Sequence, residues 1–542
     1  MTLPAWVQKR DGTLVPFDPD HISSALFAAG ESLGQPDAFL ARELTDGVLH
    51  FLAAEPGDKP LTTEQIEESV TKAVRELGRP ALAQAYADQL QRPTHPQPSE
   101  QATPSGHTLL HLSIAVPSDG SDIDLTEAVI RAYSLRYVFA PDVAATHRDG
   151  LLTLSGLESP FRLAGCVLKH SADLLEAISQ ARTQAGEFVA IDGPEYALLE
   201  KPNAWPSYVR ELRLLLETAG LRGVVNLNSQ LAPAWANGVA AGPLFGDPEY
   251  SSRSEALSEL ALELFNAMLP ETFSAGHIVV QWHLSDVDSA SARQDRLRKL
   301  IRRALEGAAI SFVFDRPSRP VLLAPGVDRQ TPAVLLTVAL NLPELANQVG
   351  GHADAPEKFL HKVGSGVRLA LSAGVQKRDF LRNQTGNKED LASGFLLDRA
   401  RLMVAPAGLH SVVATLLGCS LAQNTDGLDF ARRVVQRIFD VVNEDGRSRH
   451  LPVGLDGSLL AASVDPASKL PAHLDLEDQT RVAAALHGAV DLQTAALYIT
   501  DAARPPVDEL VQSLQWLWRR SDVRHVQLTP FSRAPSQLPF CA

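Results

Sequence analysis

The sequence predicts a small N-terminal α+β module followed by a large α/β domain. Three observations support this prediction. The turn dipeptide Asp11-Gly12 lies between two short extended runs. Apolar residues then recur at helical spacing as far as Leu90. Beyond a proline-rich stretch, strand-like and helix-like segments alternate along the rest of the chain, which is the pattern of an α/β domain.

The first predicted element is a β-hairpin. Asp11 and Gly12 both tolerate the positive φ that a tight primed turn requires, so we expect a two-residue turn here. Asp18-Pro19 predicts a helix start, because the carboxylate can cap free N–H groups and proline is preset for the first helical position. Lys9 and Arg10 are then expected on a ribbon beside this capped helix start, an arrangement that suits a polyphosphate.

Three more helices are predicted before the linker. One follows Pro36-Asp37, and a second follows a capping-box pair, Thr62 with Gln65, and stops at Gly78. The last runs from Ala81 to Leu90. Residues 93–106 are polar and rich in proline, so they are interpreted as a semi-extended linker between domains at 1–92 and 107–542.

The region beyond the linker carries β-type runs separated by helical stretches rich in alanine, leucine and charged residues. The predicted strands are 107–114, 223–228, 277–282 and 310–314, and the clearest helices are 253–268 and 289–306. This alternation predicts an α/β domain, for which a barrel is one arrangement.

Composition narrows the function classes. The chain has 542 residues, 45% of them hydrophobic and 21% charged, which indicates a globular protein able to bury a large core. A net charge of −15 argues against a nucleic-acid partner or an anionic membrane, because neutralising phosphates needs clustered Lys and Arg. The N-terminus has no apolar signal core and no apolar run is long enough to span a bilayer, so we expect a cytoplasmic protein.

The three cysteines, Cys166, Cys419 and Cys541, include no CxxC pair. A disulfide scaffold and a cysteine zinc site are therefore not expected, and no structural metal is predicted. Cys166 lies among apolar neighbours, as inert core cysteines usually do.

The first ninety or so residues resemble an ATP-cone, the regulatory nucleotide-binding module of ribonucleotide reductases. The resemblance rests on the ribbon, the Asp-Gly turn, the Pro-Phe-Asp segment and the Leu61-Thr62-Thr63-x-x-Ile66 helix start. It implies a hairpin packed with a small helical bundle. It also implies ATP or dATP as the ligand, with Mg²⁺. The nucleotide-contacting positions that it implies are Val7, Lys9, Arg10, Asp18, His21 (where the family usually has lysine), Ile22, Thr63 and, as a substitute for a family Tyr-Arg pair, Arg92.

The second part resembles anaerobic, glycyl-radical ribonucleotide reductases. The segments 147–154 and 159–166 are similar to the early barrel of these enzymes, in which a His-x-x-Gly segment leads to a substrate-reducing cysteine. Leu340-Asn341-Leu342-Pro343 is similar to their Asn-Leu-Pro strand, and 376–381 to a later helix. The resemblance implies a degenerate α/β barrel over 107–542.

Three features that the reductase family needs are missing from this sequence. The last glycine is Gly488, so no C-terminal radical glycine is found, and the family's four zinc cysteines are absent. The stretch 323–329, where the thiyl-radical cysteine belongs, has no cysteine. Standard ribonucleotide reduction is therefore not expected of this chain.

Four interpretations of function follow. The leading one is an ATP- or dATP-binding regulatory module fused to a reductase-like pseudoenzyme, and a homo-oligomer through the cone is compatible with it. The second is an enzyme of altered chemistry acting on a nucleotide around Cys166. The third is an interaction scaffold whose cone no longer binds. The fourth is a transcriptional regulator, because a bacterial reductase repressor carries a similar cone. The acidic charge and the absence of that repressor's zinc ribbon disfavour it.

Overall fold

The structure is a computed structural model. It describes residues 6–54, 61–91, 101–102, 108–109, 125–168, 184–194, 198, 204–228, 248–274, 278–284, 291–316, 319–350, 354–384, 395–422, 424–460, 475–499 and 504–530. The chain forms two compact units. Residues 1–152 and 368–376 make up the first, and residues 153–367 and 377–542 make up the second.

The first unit opens with a hairpin of β1 (Trp6–Gln8) and β2 (Leu14–Pro16). The N–H of Gly12 donates to the carbonyl of Lys9 at 2.9 Å, and the N–H of Lys9 donates to the carbonyl of Thr13 at 2.8 Å. Gly12 has a φ of +85°, whereas Asp11 does not have a positive φ. The predicted two-residue primed turn is therefore wrong. The Asp11 carboxylate instead accepts from the N–H of Thr13 at 2.9 Å, which favours a longer turn with one left-handed residue.

Four helices follow: α1 (Pro19–Ser32), α2 (Ala38–Ala54), α3 (Thr63–Glu76) and α4 (Pro80–Gln91). Asp18 caps α1 by accepting from the N–H of Asp20 at 3.0 Å, and Asp37 accepts from the N–H of Leu40 at 2.9 Å. Thr62 and Gln65 form the predicted capping box of α3. These helix starts are confirmed, because capping depends on residues only a few positions apart.

The first unit also contains helix α5 (Leu125–Tyr133), a π-helical turn (Ser134–Val138) and α6 (Pro141–Arg148), together with residues 368–376.

A buried charge cluster links elements of the first unit. The Arg42 side chain is 2% exposed and donates to Asp20 Oδ1 at 2.6 Å and to Ser372 Oγ at 2.9 Å. Burial raises the pKa of the Asp142 carboxyl, and the Arg42 charge opposes that rise. One guanidinium thus compensates carboxylates from α1 and α6.

The second unit is organised around one large sheet. Its strands are β6 (Leu152–Leu154), β7 (Leu163–Leu168), β8 (Ala185–Asp192), β9 (Arg222–Asn228), β10 (Ile278–Leu284), β11 (Ile310–Phe314), β14 (Ala333–Asn341), β15 (Ala400–Ala407), β16 (Val453–Leu455), β17 (Thr494–Ile499) and β18 (His525–Pro530). Their order is β16-β15-β14-β7-β8-β9-β10-β11-β18-β17, with β6 paired to β14.

The sheet consists of two parallel sets of strands that run in opposite directions. Strands β7 to β11 are parallel, as are β14 to β16 and the pair β17 and β18. The β14–β7 and β11–β18 junctions are antiparallel. The two ends of the order meet at a parallel bridge between Leu455 and Leu492.

Helices separate the strands in sequence. They are α7 (Trp205–Ala219), α8 (Pro248–Ser274), α9 (Ser291–Leu305), α10 (Leu342–Asn347), α11 (Ala355–Gln384), α12 (Phe395–Asp398), α13 (Leu409–Leu417), α14 (Thr425–Ser448), α15 (Leu476–His487) and α16 (Val507–Arg520). The strands read as continuous apolar runs, β14 for example being buried at eight of its nine positions. Such runs are typical of sheets covered on both faces.

The predicted elements of the large domain are confirmed where the structure describes them. The strands at 223–228, 277–282 and 310–314 correspond to β9, β10 and β11, and the helices at 253–268 and 289–306 fall on α8 and α9. Of the predicted strand 107–114, the structure describes β5 (Thr108–Leu109), paired with β4 (Gln101–Ala102) inside the predicted linker. Within the described ranges, no helix is both long and apolar enough to cross a membrane.

Replacing Arg42 tests the buried cluster. An Arg42→Met variant leaves Asp20 and Asp142 buried without their cation, so we expect a loss of about 3–5 kcal/mol in the free energy of unfolding of the first unit. Burial raises the pKa of Asp142, and losing Arg42 raises it further. The stability deficit should therefore be largest at neutral pH and shrink as Asp142 is protonated toward pH ~4. Urea unfolding at several pH values measures it.

The control is Arg368→Met. Arg368 Nη1 donates to Asp46 Oδ2 at 2.7 Å, but both side chains are partly exposed, so the loss should stay below about 1 kcal/mol. Equal losses in the two variants, or a deficit that does not change with pH, would contradict the assigned role of Arg42.

Candidate functional site

The hairpin is held beside the start of helix α3. Strand β1 pairs in parallel with β3 (Leu61–Thr62), which places Val7 opposite Leu61. Thr63 then donates its hydroxyl to the carbonyl of Gln8 at 3.2 Å. The structure thereby brings three predicted site residues together, because Val7, Lys9 and Thr63 all lie at this junction of ribbon and helix.

The two predicted cations of the ribbon have different environments. Arg10 is paired with helix α3, its Nε donating to Glu64 at 3.1 Å and its Nη2 to Glu67 at 3.0 Å. Lys9 is exposed and has no hydrogen bond or ion pair from its side chain to any residue that the structure describes. The ammonium group of Lys9 is thus free to meet a ligand, whereas Arg10 must exchange partners.

The remaining predicted contacts take other positions. Asp18 caps α1, and its carboxylate is engaged there with the N–H of Asp20. His21, in the first turn of α1, is exposed, and Ile22 is 5% exposed in the bundle core. Within the described part of the chain, no hydrogen bond links Asp18 or His21 to the ribbon. Arg92 lies outside the described residues.

The acidic residues of this site were not predicted from the sequence. Glu64 and Glu67 occupy one face of the first turns of α3, and both accept hydrogen bonds from the Arg10 guanidinium. Tyr86 of α4 is also nearby, since burial and then the charge of Glu67 raise the pKa of its hydroxyl. The i, i+3 spacing of the two glutamates predicts that they share one face of the helix. It does not predict their pairing with Arg10, which lies 54 residues before Glu64.

A second candidate site lies inside the large sheet, where β12 (Leu322–Ala324) and β13 (Val327–Asp328) form a hairpin. The residues of this hairpin pack in one apolar cluster with residues from five strands: Ala164, Phe188, Ala190, Val224, Val334 and Met403. Gly326 turns the hairpin with a φ of +83°, and a Cβ there would come within 2.7 Å of Met403 Sδ. The hairpin therefore fills the space between the strands with apolar side chains.

Polar side chains anchor this hairpin from several strands. Asn226 Nδ2 donates to the carbonyl of Leu323 at 2.8 Å, and Gln493 Oε1 accepts from the N–H of Gly326. Arg401 Nη2 donates to Asp328 Oδ2 at 3.3 Å. These bonds satisfy hairpin groups that would otherwise be buried without partners.

The same asparagine is hydrogen-bonded to a buried histidine. Asn226 Oδ1 lies 2.9 Å from His283 Nε2, and His283 Nδ1 lies 2.9 Å from Asp315 Oδ1. Because Asn226 Nδ2 faces backbone carbonyls, its Oδ1 is assigned as an acceptor, so Nε2 of His283 carries a proton. Both ring nitrogens are therefore occupied by protein groups.

Cys166 lies on β7 and is 1% exposed. Burial raises the pKa of its thiol to about 12, so the thiolate is not formed at neutral pH. Because the thiolate is the reactive form of cysteine, this environment is that of a core residue. The geometry favours the inert interpretation of Cys166 over a nucleophile.

Two buried titratable groups, Lys377 in the helix segment that resembles the reductases and Glu187 on β8, influence each other electrostatically. Burial lowers the pKa of Lys377 to about 7, and burial raises the pKa of Glu187 to about 7. Lys377 Nζ donates to the carbonyl of Pro160 at 2.6 Å. The nearby Arg222 charge also favours the ionised form of Glu187.

Comparison with known proteins supports both resemblances. Residues 6–88 match the family model described as the ATP cone domain. No curated protein matches the chain. The fold is similar to the anaerobic ribonucleotide reductase of Thermotoga maritima with citrate in the active site, with a TM-score of 0.54 and 13% identity, over 76% of this chain and 91% of that one.

Two further structures of the Thermotoga maritima enzyme give the same result. The complex with dATP and CTP has a TM-score of 0.57 at 13% identity, covering 76% of this chain and 84% of that one. The structure with dATP bound in the specificity site has a TM-score of 0.57 at 13% identity, covering 75% and 83%. The predicted ATP-cone and the predicted reductase-like fold are confirmed, the second at the level of fold.

Removing the buried lysine tests the Glu187 environment. In wild type, the lowered pKa of Lys377 adds stability as the pH rises above about 7, which offsets the loss from ionising Glu187. A Lys377→Met variant keeps only the glutamate, whose folded-state pKa lies above its ordinary value. Wild type gains stability from the lysine between pH ~7 and ~10.5 and the variant does not, so the unfolding temperature of the variant should fall relative to wild type across that range. Thermal unfolding across this range measures the gap.

The double variant Lys377→Met/Glu187→Gln is the control, because it removes both titrating groups. Between pH ~4.5 and ~7, where ionising Glu187 destabilises the single variant, the unfolding temperature of the double variant should respond to pH less steeply than that of the single variant. If the single and double variants gave parallel curves, Glu187 would not be the group that titrates.

Proposed function

We propose that this chain is a nucleotide-responsive regulatory protein, in which the ATP-cone binds ATP or dATP and the reductase-like domain does not reduce ribonucleotides. The observation that carries the proposal is the exposed Lys9, whose side chain has no partner among the described residues and which the β1–β3 pairing holds next to Thr63 and Arg10. An exposed ammonium and a guanidinium on one ribbon supply the charge-assisted hydrogen bonds that a triphosphate needs.

Different residues of the cone contact different parts of the nucleotide. Lys9 and Arg10 bind the phosphates, with Mg²⁺ carried by the nucleotide. Thr63 and Asp18 position the ribose or the base. Val7, Ile22, His21 and Arg92 complete the contacts that the family likeness implies. The matched family model over 6–88 supports this assignment.

The proposed domain division is a cone over 1–92, a linker over 93–106 and a reductase-like domain over 107–542. The bridge between Leu455 and Leu492 supports a closed barrel for the last of these. The likeness to the anaerobic reductase that binds dATP supports nucleotide regulation of this kind of fold. We place the protein in the cytoplasm, with nucleotide as its partner.

The reductase-like domain is proposed to be non-catalytic because of its interior hairpin. Residues 323–329 contain no cysteine, and the hairpin is packed by apolar residues. A radical reduction needs a thiol there and space for a substrate. Cys166, the one cysteine on a strand beside the hairpin, is buried with a raised pKa. This combination also disfavours an enzyme of altered chemistry at Cys166.

Nucleotide binding is proposed to act by redistributing charge on the cone. The triphosphate competes with Glu64 and Glu67 for Arg10, so binding frees two carboxylates on α3. A ligand shifts an equilibrium only when its affinity differs between two states. The paired and released forms of Arg10 supply two such states, through which association via the cone can be controlled.

Calorimetry tests the proposed ligand. Wild type should bind ATP and dATP, and a Lys9→Ala/Arg10→Ala variant should bind about 100-fold more weakly, because charge-assisted hydrogen bonds are lost. The matched control is Lys72→Ala/Arg79→Ala, which removes two exposed cations elsewhere on the cone and should bind as wild type does. An absence of binding heat from folded wild type would favour the scaffold interpretation instead.

A single charge removal tests the competition for Arg10. A Glu67→Gln variant should bind ATP roughly two- to fivefold more tightly, since breaking an exposed ion pair costs up to about 1 kcal/mol. Glu68→Gln is the control, because Glu68 is exposed, adjacent and outside the pairing. Calorimetric titration of both variants gives the comparison. Equal affinities of the two variants for ATP would refute the competition.

A further inference from the structure

A groove lined by arginines lies in the second unit, against helices α11 and α14. Its volume is about 430 Å³, within the range of small-molecule sites. Three arginines of α14 line it, Arg432, Arg433 and Arg437. In a chain with a net charge of −15, this concentration of cations around a concavity stands out.

The sequence of α14 places these groups on one face. Arg432, Arg433, Gln436, Arg437 and Asp440 follow the i, i+4 and i, i+1 spacing of a single helical stripe. The opposite face is apolar and buried, with Val434, Val435, Ile438 and Val441 all at most 2% exposed. Core packing of that face therefore fixes the direction in which the arginines point.

The three arginines differ in how their charge is compensated. Arg432 pairs with Asp429 at 3.0 Å and Arg433 with Glu357 at 2.8 Å, and both pairs are exposed. Exposed pairs of this kind are weak and exchange readily with a ligand. Arg437 is half-buried and has no hydrogen bond or ion pair with any residue in the described ranges. Its charge is therefore available to a ligand.

A glycine in helix α11 makes room for this guanidinium. A Cβ at Gly364 would come within 3.0 Å of Arg437 Nη2 and 3.2 Å of its Nε. The Arg437 side chain therefore lies flat against the backbone of α11, in a position that any larger residue would disturb. The groove wall is completed by Leu360 of α11 and by Asp440, which accepts from Gln436 at 2.8 Å.

We propose that this groove binds a small phosphate ester with a hydroxylated body, such as a nucleoside or sugar phosphate. The phosphate lies against Arg437 and Arg433, whose planar guanidinium groups match its geometry. The Asp440 carboxylate accepts hydrogen bonds from ligand hydroxyls, and it disfavours an anion that has none. This site is separate from the nucleotide site proposed on the ribbon, and it rests on different residues.

The test uses the full chain carrying Lys9→Ala/Arg10→Ala, so that the cone does not contribute. Ribose 5-phosphate, AMP and inorganic phosphate are titrated by calorimetry. One ester should bind with one site per chain and about tenfold more tightly than inorganic phosphate, because only an ester supplies hydroxyl groups to Asp440. No saturable binding of either ester, or equal affinity for inorganic phosphate, would overturn the proposal.

Three variants in the same background assign the binding to the groove. Arg437→Ala should weaken ester binding about tenfold or more. Gly364→Ala should also weaken it while leaving the helix intact, because alanine favours helix yet crowds Arg437. Arg447→Ala, on the same helix but outside the groove, is the control and should bind normally. Ester binding that persists unchanged in Arg437→Ala would place the ligand elsewhere.

Discussion

The hydrogen bonds to the interior hairpin are the constraint on which the second unit depends. Backbone groups buried between strands need partners, and here Asn226 of β9 and Gln493, which precedes β17, supply them. The hairpin in turn provides the apolar surface on which strands of both parallel sets pack. Held in this way, it fills the space between the strands with apolar side chains.

The first unit contains two sets of ion pairs, one buried in its core and one at its surface. At the core, Arg42 compensates buried carboxylates, and a buried charge left unpaired is costly. At the surface, Arg10 rests against Glu64 and Glu67, where pairing is weak and reversible. The deep pairing fixes the bundle, whereas the shallow pairing is the one through which we propose that the ribbon exchanges a carboxylate for a phosphate.

Much of the candidate site was accessible from local sequence, and the part that was not has a clear reason. Asp18 and the Thr62–Gln65 capping box were predicted because their bonds span only a few residues. The turn at Asp11-Gly12 was predicted in the wrong form, because a side-chain bond to Thr13 competes with the primed turn. The pairing of Arg10 with Glu64 crosses 54 residues, and no local pattern encodes it.

The sequence by itself determined the helix starts, the apolar strands, the ATP-cone and the absence of cysteine from 323–329. These properties reside in residue identity and in spacing over one or two helical turns. Only the tertiary structure decided which strands are neighbours, that the hairpin lies among them and that the Arg437 side chain lies against Gly364. Such contacts join residues far apart in the chain. Their energy comes from burial and pairing that exist only after folding.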